Sequence, residues 1–130
     1  MRHILVVANQ SVATPALLEE IKRRSEADAC EISLLIPDAP DDATGDWTLR
    51  YAVKLISRST GASVRGLRSR RDAYEAIADA LNVDDYDEVV ISTLPRAHSR
   101  WLHRSLPRKV ARLGVPVSVV TPDGEPLMHV

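Results

Sequence analysis

The stretch Ile4-Leu5-Val6-Val7-Ala8 is an uninterrupted aliphatic run with no polar residue at alternate positions. A strand with one solvated face alternates apolar and polar side chains. A run without alternation therefore belongs to a strand covered on both faces, at the centre of a parallel sheet. Val89-Val90-Ile91, leading into Ser92-Thr93, repeats the signature, and Ile32-Ser33-Leu34-Leu35-Ile36 gives a third strand stopped by Pro37. Ala62 to Leu67 alternates Ser63 and Arg65 against Val64, which suits a sheet edge. Val115 to Thr121 contains Pro116, whose missing N–H predicts a last strand with an outer edge left unpaired within the chain.

Helical patterns separate these runs. Thr14-Pro15 reads as an N-cap followed by proline in the first turn, with Leu17, Leu18 and Ile21 on one stripe and Lys22 to Arg24 at the end. A second helix is predicted from Asp46 to Ser59, with Leu49, Val53 and Ile56 inward and Gly61 beyond its end. Asp72 with Glu75 predicts a capping box for the third, whose Tyr74, Ile77, Ala78 and Leu81 form the expected buried face. The last runs from Pro107 to Leu113, burying Val110 and Leu113, and stops at Gly114. Strands alternating with helices through right-handed crossovers predict a single α/β domain spanning 1–130, an open five-stranded parallel sheet with helices on both faces. The acidic stretch from Pro37 to Asp46 reads as a solvated loop.

Composition narrows the function classes. The chain has 130 residues, 45% hydrophobic and 27% charged, which suits one globular domain. A formal net charge of −1 excludes a globally basic nucleic-acid binder, though not a local basic patch, and no nucleic-acid partner is expected; one cysteine excludes a disulfide framework within the chain. No apolar run is long enough for a signal or spanning segment, so a cytosolic protein without a membrane partner is expected. Cys30 is expected as a small buried residue and Trp101 as an anchor beneath its loop.

Ligands of open α/β sheets sit beyond the carboxyl ends of the strands, where the strand order switches. Those segments hold no Walker loop, no dinucleotide glycine fingerprint and no nucleophile elbow. His98 and His103 are five apart, off the spacing of a helical metal pair, so no metal is expected. A response-regulator receiver domain has a similar element order, but Asn9-Gln10 and Gly66-Leu67-Arg68-Ser69 stand where its acidic residues belong.

Arg2-His3-Ile4-Leu5-Val6-Val7-Ala8-Asn9-Gln10-Ser11 is similar to the opening strand and turn of the universal stress protein family. Tyr86-Asp87-Glu88-Val89-Val90-Ile91-Ser92-Thr93 and Leu113-Gly114-Val115-Pro116-Val117-Ser118-Val119-Val120 resemble its fourth and closing strands. The resemblance implies a strand order of 3-2-1-4-5. It also implies adenine nucleotide at the crevice between strands 1 and 4 in members that bind it, and a homodimer through antiparallel pairing of the last strand (Val115 to Thr121).

The nucleotide-binding members carry Gly-x2-Gly-x9-Gly-(Ser/Thr) after the fourth strand. This chain has Ser92-x2-Pro95-x9-Ser105-Leu106, and Asn9 where the family places Asp. Glycine serves such a loop by adopting positive φ and letting backbone approach phosphate, and Pro95 does neither. No cofactor is therefore expected, and ATP in the family's mode is disfavoured. The loop is basic instead: no Asp or Glu falls between Val89 and Pro122, while Arg96, Arg100, Arg104, Arg108, Lys109 and Arg112 all do. Guanidinium groups suit phosphate and carboxylate. The candidate ligand-binding residues are Asn9, Ser11, Ser92, Arg96, His98, Ser99, Arg100 and Ser105; no acid within the segment competes for its arginines, and Asp38 or Asp72 is the acid placed to do so from a neighbouring loop. The expected function is a non-enzymatic binding or signalling module of universal stress protein type for an anionic small molecule, with no catalytic residue assigned. The alternatives are an adenine-nucleotide enzyme with weak hydrolytic or transfer activity, and a ligand-free dimeric interaction protein.

Overall fold

The computed structural model describes residues 1–8, 14–38, 43–94, 99–122 and 128–129. In chain order it forms β1 (Arg2–Val7), α1 (Pro15–Ala27), β2 (Cys30–Ile36), α2 (Ala43–Thr60), β3 (Ser63–Arg68), α3 (Ala73–Val83), β4 (Glu88–Ser92), α4 (Arg100–His103), α5 (Leu106–Ala111), β5 (Val117–Val120) and β6 (Met128–His129). The sheet order is β3-β2-β1-β4-β5-β6, with every pairing from β3 to β5 parallel. The five parallel strands thus stand in the predicted order 3-2-1-4-5.

The unbroken apolar runs are explained by two cores. Successive residues of a strand point to opposite faces, so each central strand must be apolar twice over. Ile4 and Val6 of β1, Ile32 and Leu34 of β2 and Val90 of β4 pack with Leu17 and Ile21 of α1 and Ala52 and Ile56 of α2. Leu5, Val7, Leu35, Val89 and Ile91 face the other way, onto Ala76 and Ile77 of α3 and Leu106 and Val110 of α5. Gly66 lets α2 lie close on β3, since a Cβ there would stand 3.0 Å from Leu49 and Val53 side-chain atoms. Cys30 is buried as expected, and burial pushes its thiol pKa up, away from reactive thiolate. Trp101 is partly buried against the second core, the anchoring role its sequence context suggests.

Some elements depart from expectation. Helix α2 begins at Ala43, taking in Asp46 and part of the acidic stretch. Helix α3 turns Ala73, Ala76 and Ile77 inward, leaving Tyr74 37% exposed while Ala78 and Leu81 are half-buried. Its capping box is half formed: the Glu75 N–H donates to Asp72 Oδ1, but the Glu75 carboxylate pairs with Arg71 Nε. The last helix runs from Leu106 to Ala111, a short helix α4 that the pattern did not predict precedes it, and Leu113 lies past the end of α5 and is exposed. The β5 edge expected to be unpaired within the chain is met by β6, running antiparallel with Ser118 opposite His129 and Val119 opposite Met128.

Candidate functional site

Four chain segments meet beyond the carboxyl end of the parallel sheet. Past β2, Asp38 sits at a φ of 53°, and its N–H donates to the Arg71 carbonyl at 2.9 Å. That bond draws the exit of β2 onto the exit of β3, next to Asp72. Asp72 caps α3 by accepting from the Glu75 N–H at 2.9 Å. Past β4, the Thr93 and Ser99 hydroxyls meet at 2.7 Å, both buried, and Ser99 Oγ also accepts from the Leu102 N–H to start α4. One turn on, Ser105 links α4 to α5 in the left-handed region, at φ 57° and ψ 36°.

These segments enclose a cleft of about 530 Å³. Asp38, Asp72, Ala73 and Tyr74 come from the β2 and β3 exits and the first turn of α3; Thr93 and Leu94 come from the end of β4. Ser99, Arg100, Trp101 and Arg104 come from α4 and its caps, and Leu106 and Lys109 from α5. The volume lies within the ordinary range for a small-molecule site.

Several arginines elsewhere in the molecule are held in ion pairs. Arg65 pairs with Asp84 at 3.0 Å, Arg71 with Glu75 at 3.1 Å, and Arg24 with Glu88 at 2.9 Å. Among the described residues, Arg100, Arg104 and Lys109 form no ion pair, although Asp38 and Asp72 line the same cleft. Arg100 and Arg104 are one helical turn apart, a spacing that puts their side chains on one face. A second, smaller recess of about 320 Å³ holds His3, Ser33, Arg65 and Asp84, but these groups already satisfy one another through hydrogen bonds.

Of the sequence candidates, Asn9, Ser11, Arg96 and His98 lie outside the described residues, as does Pro95. Arg100 and Ser99 line the cleft, but the Ser99 hydroxyl is engaged by Thr93 and Leu102 and is 1% exposed. Ser99 therefore shapes the wall rather than presenting a free donor. Ser92 lies buried within β4, opposite Val120 of β5. Ser105 is exposed and does not line the cleft. It adopts a positive φ, for which glycine would be the default residue. Arg104 and Lys109, present in the basic segment but not singled out, belong to the cleft, and the i, i+4 spacing from Arg100 was the available signal for Arg104. Tyr74 escaped because its helical spacing with Ile77 and Leu81 assigned it to the core.

No protein-family model matches the chain, and no curated protein matches it in sequence. Among solved structures, the universal stress protein from Archaeoglobus fulgidus superposes with a TM-score of 0.68 at 16% identity, covering 92% of this chain and 98% of that one. The universal stress protein from the same organism in complex with dAMP gives 0.66, with the same identity and coverage. A universal stress protein in complex with cAMP gives 0.64 at 16% identity, covering 93% of this chain and 97% of that one. The chain has the universal stress protein fold along nearly its whole length.

Proposed function

We propose that this chain is a non-enzymatic ligand-binding module of universal stress protein type, whose cleft takes an anionic small molecule through side chains. The observation that carries the reading is the set of three cations, Arg100, Arg104 and Lys109, lining one cleft without an ion pair among the described residues. Guanidinium groups lining an open cleft favour phosphate or carboxylate, which they hold by charge-assisted, bidentate hydrogen bonds. Helices α4 and α5 have four and six residues and carry Pro107 in the first turn of α5, so backbone donors supply little of this binding. Two fold neighbours were solved with dAMP and cAMP, both phosphate-bearing, which supports the anion and supplies a second reading, a purine nucleotide at the same cleft.

In this reading the protein works in the cytosol; no described helix is long and apolar enough to cross a membrane. It forms a homodimer through the last strand when β6 leaves β5. Titration calorimetry with inorganic phosphate, pyrophosphate, citrate and AMP tests the ligand class. Arg100→Gln and Arg104→Gln should each weaken whichever anion binds about tenfold. Equal affinity in wild type and both variants overturns the assignment, and AMP binding far tighter than pyrophosphate selects the nucleotide reading.

A further inference from the structure

The same cleft holds charges of both signs that do not meet. Asp38 and Asp72 enter from the β2 and β3 exits, and Arg100, Arg104 and Lys109 from α4 and α5. Opposite charges lining one cleft ordinarily close on each other, as Arg65 and Asp84 do at 3.0 Å outside it. Here no ion pair joins the two sets among the described residues. The acids are also fixed by backbone geometry. The Asp38 N–H bond to the Arg71 carbonyl brings Asp38 to the neighbour of Asp72, and Asp72 is held by its capping bond to Glu75. Two carboxylates thus line one side of the cleft, and among the described residues neither forms an ion pair, so a ligand cation there meets two opposite charges.

We infer that the cleft selects an ambipolar ligand, an amine-bearing phosphate or carboxylate. Its anionic end lies against Arg100, Arg104 and Lys109, and its ammonium end against Asp38 and Asp72. Tyr74 and Trp101 line the space as well, which suits a short apolar spacer between the ends. This inference rests on the anion-binding reading and adds the second recognition element.

The test is calorimetry with ω-aminoalkyl phosphates of increasing chain length, each against the alkyl phosphate of equal length. The series avoids presuming the span of the cleft. Asp38→Asn and Asp72→Asn are the matching variants, because asparagine tolerates positive φ and caps helices as aspartate does, so both keep the local fold. For one or more lengths the aminoalkyl phosphate should bind wild type at least about tenfold tighter than its partner. Either variant should erase most of that advantage while leaving the alkyl phosphate bound as well or better. If alkyl phosphates bind and the amine confers no advantage at any length, or an advantage survives both substitutions, the ambipolar inference falls and the anion reading stands. If neither series binds, both fall.

Discussion

The hydroxyls of Thr93 and Ser99 lie 2.7 Å apart in the interior and join the end of β4 to the start of α4. Ser99 Oγ accepts at the same time from the Leu102 N–H, so one buried atom ends a strand connection, caps a helix and positions Arg100 beside it. Ser99→Ala removes the cap and leaves the Thr93 hydroxyl buried without that partner. The expected cost is about 2 kcal/mol, read as a lower urea midpoint with unchanged slope. Anion affinity should fall with it, since Arg100 loses the fixed start of its helix. A variant as stable as wild type would show that the hydroxyl pair contributes nothing net.

Ser105 carries a second local prediction. A non-glycine residue at a φ of 57° carries left-handed strain of about 1–2 kcal/mol, and glycine removes it at a smaller entropic cost. Ser105→Gly should therefore stabilise the protein by up to about 1 kcal/mol, and Ser105→Val should destabilise it by a similar amount. Chemical denaturation of the pair checks the ordering. Because Ser105 does not line the cleft, ligand affinity should be the same in both.

The sheet was legible because its signals are local. An apolar run such as Ile4 to Ala8 declares a strand covered twice, and Thr14-Pro15 and Asp72 declare helix starts that the structure bears out, with the Leu17 N–H on Thr14 Oγ1 and the Glu75 N–H on Asp72 Oδ1. The cleft was legible only in part. Arg100 could be named because the basic segment lies in one stretch, whereas the approach of Asp38 to Asp72 depends on a backbone bond between two loops distant in sequence. Ser99 was read as a ligand donor because a serine's partners are invisible in sequence; the fold turns it inward. Tyr74 was misplaced because the period of a helix fixes which residues share a face, not which face is buried. Ala73, Ala76 and Ile77 supply an alternative stripe one position round.

Acid should weaken the amino end of the sheet through Glu20. Burial raises its carboxyl pKa, but hydrogen bonds from Arg23 and Arg24 outweigh that and hold it below the ordinary value of 4.5. A depressed folded-state pKa stabilises the native form above the unfolded pKa, and the contribution is lost as pH falls through the folded one. Glu20→Gln should therefore be less stable than wild type at neutral pH, by no more than about 1 kcal/mol because the pair is partly solvated. The gap should shrink as pH falls below 4.5. Thermal melts on both sides of that pH decide it: a gap that is constant or grows in acid contradicts the assignment.

The last prediction concerns β6. Val117, Ser118, Val119 and Val120 are all buried, and on the side away from β4 this strand meets Met128 and His129 in antiparallel pairing. A mainly apolar strand whose outer edge is bare is a template for another strand, and antiparallel pairing with a second copy about a two-fold axis covers both edges at once. β6 occupies that edge at Ser118 and Val119, so the intramolecular strand and a second copy compete for the same backbone groups. The intramolecular pairing has two residues and little energy of its own, but it acts at high effective concentration because it is tethered to β5. Removing residues 123–130 should therefore shift the protein towards dimer, with sedimentation velocity showing self-association at lower concentration than for the full chain. The truncated protein should remain folded, since β1 to β5 and the helices supply two cores of buried residues. A truncated chain that stays monomeric wherever the full chain does would show that the β5 edge is not an association surface.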